Sequence, residues 1–310
     1  MIFPDDKPYY SLNYAYKNRF GKKTAKISLD GGFTCPNRDG TLDTRGCLFC
    51  SQKGSGDFSA IGATIAEQIV QGKSQTAKKW QGHSPCYIAY FQAFTNTYAP
   101  VETLKKLYEQ ALSFPEIVGL SIATRPDCLP KDVLAFLSQL NHKTALSIEL
   151  GFQTAKKESI DFIRRGYDNT VFEKAVFALA KENIETVVHI ILGLPDETKQ
   201  DMLSTINYIN QFPIQGVKLQ LLHVLKGTDL AQYYQKGLYT PLTLEEYTDI
   251  VCDCIEYLRS DIVIHRLTGD GAKKDLIAPL WSLQKRHVLN TIHKTLKQRH
   301  SFQGKRYPKQ

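Results

Sequence analysis

The sequence predicts an α/β fold, a partial (β/α)6 TIM-like barrel with a basic helical C-terminal extension. Three observations predict it. Six short runs of β-branched or apolar residues recur along the chain, each ending in Gly, Pro or polar residues. Amphipathic segments with apolar spacing near three and four separate them. The length, 310 residues at 42% hydrophobic content, suffices for one large core, and α/β barrels of this size commonly form a single domain. Strands alternating with helices in this way make a parallel sheet with helices outside it.

In chain order the strands are expected at AKISLDGG (25–32), CYIAYFQ (86–92), VGLSIATR (118–125), TALSIELGFQ (144–153), ETVVHIILGLP (185–195) and GVKLQLLHVL (216–225). The helices between them are TIAEQIVQGKSQTAKKW, VETLKKLYEQAL, PKDVLAFLSQL, VFEKAVFALAKEN and TKQDMLSTINYINQF. Pro100, Pro130 and Thr198 mark helix starts, two by a fixed φ and one by a capping hydroxyl. After the sixth unit come a helix, TLEEYTDIVCDCIEYL, a strand-like DIVIHRLTG and a helical basic tail. There is no internal repeat. The expected organisation is a basic N-terminal segment (1–24), the barrel (25–270) and a basic extension that contacts RNA (271–310).

Composition removes several classes of function. No apolar run reaches 18 residues and the N-terminus lacks the apolar centre of a signal peptide, so a soluble, cytoplasmic protein with no membrane contact is expected. Seven cysteines spread over the chain argue against a disulfide framework and for ligand or core roles. From Leu276 to Gln310 eight basic residues (Lys285, Arg286, Lys294, Lys297, Arg299, Lys305, Arg306 and Lys309) meet no Asp or Glu, which equals the whole net charge of +8. A solvated basic face is one reading of this tail. Interleaved Trp281, His287, His293, His300, Phe302 and Tyr307 favour another, a surface for phosphates and unstacked bases. A second basic stretch, Lys17, Arg19, Lys22, Lys23 and Lys26, precedes the first strand's end.

The polar residues fall where a parallel barrel assembles its active site, at the C-terminal ends of strands. A loop with Cys35, Cys47 and Cys50 follows the first strand; Gln92, Thr95 and Asn96 follow the second; Thr124, Arg125, Pro126 and Asp127 follow the third. Glu149 and Gln153 end the fourth, His189 and Gly193-Leu194-Pro195 belong to the fifth, and His223 ends the sixth. The cysteine spacing is C-x11-C-x2-C. A structural zinc site or a four-thiolate iron–sulfur site needs a fourth ligand that the loop lacks. Three thiolates suit a 4Fe–4S cluster with one iron open to a small molecule; zinc completed by a distant His, and buried free thiols, are the alternatives. Cys86, Cys128, Cys252 and Cys254 are read as structural.

With Phe49 directly before its last cysteine, the loop resembles the cluster loop of radical S-adenosylmethionine enzymes, in the wider-spaced form of the Elongator catalytic subunit and its relatives. ISLDGGFTCPNRDGT, YFQAFTNTYAP, GLSIATRPDCL, IELGFQT, HIILGLP and LLHVLKGTDLA together look like the YhcC/YtqA branch of that superfamily, over nearly the entire chain from about Tyr14. The resemblance implies a barrel of the radical S-adenosylmethionine type. It implies that Cys35, Cys47 and Cys50 hold three irons of a 4Fe–4S cluster while S-adenosylmethionine chelates the fourth, giving a 5'-deoxyadenosyl radical that abstracts hydrogen from substrate. The protein would bind, orient and exclude water.

Matched residues carry implied roles. Gln92, Thr95 and Asn96 stand where the superfamily usually has Gly-Gly-Glu facing the methionyl ammonium. Glu149 would accept from ribose hydroxyls or the amine, or else is a buried, paired Glu. Arg165, with Arg164 as the substitute, would grip the methionyl carboxylate, or else both cap the helix. Gly193 and Leu194 would pack on adenine through backbone contacts, or else form a strand-ending turn. Arg125 and Asp127 belong to a TRPD element expected at the substrate, or else pair with each other. Lys218, His223 and Arg266 are the expected catalytic residues, with His189 and Lys226 as further candidates for substrate anions or proton transfer. Lys285, Arg286, Lys294, Lys297 and Arg299 would bind RNA. The implied activity is modification of transfer RNA at the wobble uridine side chain, carboxymethylaminomethyl to aminomethyl. An electron donor such as flavodoxin or ferredoxin and a downstream tRNA methyltransferase are the implied partners. Two other readings are a radical enzyme on a small anionic metabolite and a non-catalytic RNA-binding protein with a structural metal loop.

Overall fold

The computed structural model describes residues 3–54, 59, 62, 64–77, 86–269 and 271–308. Lys309 of the tail and positions 78–80 of the first expected helix lie outside the described residues. Six parallel strands follow one another across the sheet in chain order: β1 (Thr24–Leu29), β2 (Cys86–Phe91), β3 (Ile117–Thr124), β4 (Ala145–Gln153), β5 (Glu185–Leu192) and β6 (Gly216–Leu221). The chain then leaves the sheet through β7 (Val224–Leu225) and returns as β8 (Val263–Arg266), which pairs parallel with β6. The sheet is thus a curled half-barrel of seven strands, one more than six βα units supply. The extra strand is the DIVIHRLTG segment. A short β9 (Leu276–Ala278) pairs antiparallel with β7 at the rim.

Helices flank the strands: α1 (Leu12–Phe20), α2 (Ile65–Ala77), α3 (Val101–Leu112), α4 (Lys131–Asn141), α5 (Lys157–Phe162), α6 (Asn169–Lys181), α7 (Lys199–Ile209), α8 (Asp229–Gln235), α9 (Leu244–Tyr257) and α10 (Lys285–Gln298). Pro100 and Pro130 sit at the N-caps of α3 and α4, as their fixed φ favours. Thr198 and Thr243 close capping boxes with Asp201 and Glu246 on α7 and α9, which satisfies amide groups the first turn leaves without partners.

The strands alternate in a way that decides the site. Ile27 and Leu29, Ala89 and Phe91, Leu120 and Ile122, Ile148 and Leu150, Val188 and Ile190, Val217 and Leu219 join the helices in one apolar core. The intervening residues point to the other face. There stand Lys26, Tyr90, Ser121, Ser147, Glu149, His189 and Lys218, where a doubly covered parallel sheet would ordinarily place Val, Ile or Leu. The concave face of the half-barrel is therefore polar on strand after strand.

The basic tail does not arch over the rim. His223, just past β6, lies 3.1 Å from Ser282, which sets the beginning of α10 at the rim. Val288, Ile292 and Leu296 then bury against α9. The far end reaches the opposite end of the barrel, where the Gln303 amide donates to Arg259 O and Ile262 O beside the start of β8. Cys252 and Cys254 point to different faces of α9 and are buried together, because the sheet covers one face of that helix and α10 the other. Cys86 and Cys128 are buried too.

Candidate active site

The cysteine loop between β1 and α2 is held by its own polar residues. Asn37 is buried and its amide donates to Arg164 O (2.7 Å), Arg165 O (3.3 Å) and Cys47 Sγ (3.4 Å). Arg38 donates to Cys50 O (3.0 Å) and Ser51 O (2.6 Å), folding the loop's second half over its first. Gly46 permits this: its φ is +75°, and a Cβ there would lie 2.9 Å from Arg38 Nε. Gly166, at φ +82°, makes room for Asn37 in the same manner. Arg164 anchors the loop from outside, donating to Gly46 O (2.9 Å) and pairing with Asp229 of α8 (2.6 Å). Arg164 is thus engaged with the loop and α8.

Cys35, Cys47 and Cys50 are half-buried and line one cavity of about 250 Å³ at the rim. The Cys50 thiol, followed by the Asn37 amide and the Arg125 and Arg164 guanidinium groups, pulls Cys47 down to about 6, and Cys50 is pushed well up in return. Among the described residues no three His, Cys, Asp or Glu side chains close on one point as a single bound metal ion requires. Three thiols spread around one cavity wall, one of them receiving an amide N–H, are the donor set of a polynuclear sulfur-ligated cluster with an open position. The residues present fit that group.

Opposite the loop lies the polar floor. Glu149 is fully buried, and four donors saturate it. Lys26 Nζ (2.6 Å) and Ser121 Oγ (2.6 Å) meet Oε1; His189 Nε2 (2.6 Å) and Lys218 Nζ meet Oε2. Burial works against its ionised form, but Lys218, Lys26 and His189 outweigh that and hold Glu149 well below the usual carboxylate range. Lys26, though buried, is pushed up by the same carboxylate, whereas burial pulls Lys218 down to about 7. Burial and Lys218 pull His189 down to about 4, so its ring is neutral near pH 7. Lys218 also donates to the Tyr90 hydroxyl (3.0 Å) and stands 4.3 Å from that ring's centre.

The structure sorts the residues expected from the sequence. Gln92, Thr95, Glu149, Arg165, Lys218, His223, Arg266 and Arg125 line the cavity with the three cysteines. Glu149 takes the second of its two expected roles, a buried paired Glu: its oxygens are filled by Lys26, Ser121, His189 and Lys218, which leaves it a neutraliser of the floor and not an acceptor for ribose or amine. Arg165 is buried, and it donates to Phe152 O, Thr154 O, Tyr167 O and Asn169 Oδ1 at 2.7–3.0 Å. It therefore braces the end of β4 as well as facing the cavity. Asn96 is outside the cavity lining; it is buried and pins β2 to β3 through Ala123 O (2.8 Å). Gly193 and Leu194 are outside it as well, because Gly193 packs under Tyr239, whose hydroxyl donates to Gly193 O (2.9 Å), while Ile191 takes the lining position. Arg125 and Asp127 pair with each other in a bidentate contact (2.9 and 2.7 Å), so Asp127 is not presented to the cavity. His223 is positioned by Ser282 and by Gly269, where a Cβ would come 2.7 Å from the ring.

On the tail, Lys285, Arg286, Lys294 and Lys297 are exposed. Arg299 is not a phosphate ligand in waiting: it pairs with Asp253 (2.6 Å) and Asp249 of α9, and Arg306 pairs with Glu256 (2.6 Å). Lys26, grouped by sequence with a basic surface stretch, belongs instead to the barrel floor, and Arg19 pairs with Glu185 (2.7 Å). Lys226 donates to Lys274 O (3.0 Å) in the exposed loop beyond β7. Gln153, placed by sequence at the end of the fourth strand, lines the cavity, while sequence reasoning missed Arg38, Tyr90, Tyr167 and Gln220, which line it too. The signal for Tyr90 and Gln220 was their place two residues from other polar positions on one strand face.

Comparison with known proteins agrees with this geometry. The model of the radical SAM superfamily matches residues 44–209, and that of the Radical_SAM C-terminal domain matches 214–298. Protein YtqA of Bacillus subtilis is 44% identical over 97% of this chain and 93% of its own length. The tRNA uridine(34) acetyltransferase of Methanocaldococcus jannaschii is 30% identical over 43% of this chain and 25% of its own length. In fold, the chain is similar to the archaeal Elp3 of Methanocaldococcus infernus, with a TM-score of 0.66 over 90% of this chain and 64% of that one at 16% identity. No helix among the described residues is long and apolar enough to cross a membrane. A three-thiol loop over a polar half-barrel, matched along its length in these ways, places the protein in the radical S-adenosylmethionine superfamily of enzymes, which work with a 4Fe–4S cluster and S-adenosylmethionine.

Proposed function

We propose that the enzyme modifies transfer RNA at the wobble uridine, converting the carboxymethylaminomethyl side chain to aminomethyl. Cys35, Cys47 and Cys50 hold the cluster, with Asn37 and Arg38 fixing the loop around it. Gln92, Thr95 and Arg165 receive S-adenosylmethionine beside it. The bound pair supplies hydrogen-atom abstraction from a substrate carbon; binding, orientation and exclusion of water fall to this chain.

The observation that carries the reading is that the three thiols and a strongly cationic floor share one cavity. Arg38, Arg165, Lys218 and Arg266 line it, with Arg125 neutralised by Asp127, against Glu149 as the one carboxylate among the described lining residues. Such a cavity selects an anionic substrate. Relatives named for tRNA uridine(34) chemistry, together with exposed Lys285 and Arg286 at the rim end of α10, support an RNA bearer for that anion. An electron donor such as flavodoxin or ferredoxin reduces the cluster, and a tRNA methyltransferase acts on the product. The test is nucleoside analysis of tRNA from a strain lacking the gene. Accumulated carboxymethylaminomethyl uridine with loss of aminomethyl derivatives is expected; an unchanged wobble nucleoside would shift the substrate to a small anionic metabolite.

A further inference from the structure

We propose that the cavity floor is a carboxylate subsite for the substrate, in which Lys218 of β6 and Arg266 of β8 hold the carboxylate of the group that reacts. This rests on the function proposed above and names the residues that would recognise its substrate.

Charge and register carry the argument. Glu149 already has a cation in Lys26, which reaches Oε1 (2.6 Å) from behind the cavity wall. Lys218 is a second cation on that carboxylate, approaching Oε2 from the cavity side. His189 also occupies Oε2 (2.6 Å). The floor therefore holds more positive than negative charge in a buried place, where an uncompensated cation is costly. Lys218 makes two hydrogen bonds, to Glu149 and Tyr90, and an ammonium has three donors. Arg266 is its partner on the neighbouring strand, where a register shift between Val217 and Lys218 skips His265, and both line the cavity. Two cations on adjacent strands match the two oxygens of a carboxylate. Burial, which pulls Lys218 down to about 7, agrees with a site completed by an incoming anion.

The test uses the reconstituted holoenzyme and two anticodon stem–loop RNAs that differ only in carrying carboxymethylaminomethyl or aminomethyl uridine at the wobble position. Fluorescence anisotropy compares wild type, Lys218→Gln and Arg266→Gln. Loss of the carboxymethyl group should weaken wild-type binding at least about tenfold, as loss of a charge-assisted contact does, and should change little in either variant. Both variants should bind the aminomethyl RNA and S-adenosylmethionine as wild type does. The subsite is overturned if the variants discriminate the two RNAs as wild type does, if wild type does not discriminate, or if S-adenosylmethionine affinity falls in parallel. A second arm titrates N-methylglycine and reads thermal shift. If no RNA binds yet N-methylglycine raises the melting temperature of wild type alone, the subsite stands and the RNA reading falls. If neither ligand binds, both fall. Lys26 and His189 remain on Glu149 in Lys218→Gln, and Arg266→Gln serves as the independent variant.

Discussion

Glu149 shows how a single residue can be necessary to the site without touching a ligand. Its carboxylate is the negative centre on which Lys26, Lys218 and His189 converge, and removing it strands two buried ammonium groups. Glu149→Gln should cost about 3–5 kcal/mol in urea denaturation at pH 7, the range for breaking a buried pair. The double change Glu149→Gln with Lys218→Met should recover part of that loss. Lys218 also makes stability depend on pH. Its folded value of about 7 lies below the free value of 10.5, so between these the unfolded chain binds more protons and stability rises with pH. Without substrate, wild type should therefore gain stability relative to Lys218→Met as pH rises from 7 towards 10, checked by denaturation across that window. A flat difference would mean that Lys218 keeps its proton in the fold. Glu149 gives the same direction in an acid window: its depressed value adds stability above the usual carboxylate range, lost as pH falls through its folded value.

At the scale of elements, the cysteine loop and α10 divide function from support. The loop's three thiols line the cavity and have no substitutes among the described lining residues. Each of Cys35→Ala, Cys47→Ala and Cys50→Ala should abolish iron and sulfide retention after anaerobic reconstitution while leaving the circular dichroism spectrum intact. Zinc bound in place of iron in the wild type would overturn that assignment. α10 presents Lys285, Arg286, Lys294 and Lys297 outward but turns Arg299 onto Asp249 and Asp253. Arg299→Gln should lower stability by about 1–3 kcal/mol and leave RNA affinity unchanged. Lys297→Gln should do neither harm to stability nor to the cluster. The run of basic charge along this helix was legible; which cation faced α9 was not, because Arg299 finds its acids 46 and 50 positions away.

For the whole molecule, the cationic rim and the outer face of α10 should make tRNA binding salt-dependent. Replacing Lys285, Arg286, Lys294 and Lys297 with Gln should flatten the log–log salt slope by roughly 0.7 to 0.9 for each phosphate contact removed, measured by anisotropy over a salt series. An unchanged slope would leave this face a solvated surface. The sequence by itself determined the α/β half-barrel, because period-two and near-four apolar spacing and the Pro and Thr caps are local properties. It also determined the three-thiol loop, because metal chemistry is written in ligand type and spacing. Polar residues at alternate strand positions, Lys26, Tyr90, Ser121, Glu149, His189 and Lys218, were present to be read as well. Only the curled sheet decided that they meet, since strands separated by scores of residues contribute one donor or acceptor each. Tertiary structure likewise decided that Glu149 is a neutralised floor and not a ligand acceptor, and moved Asn96, Gly193 and Leu194 off the cavity wall, whereas Arg125 pairs with Asp127 two residues away, as the sequence allowed. A side chain's role depends on which partners reach it first, and partners from distant strands are set by closure of the fold and not by neighbours along the chain.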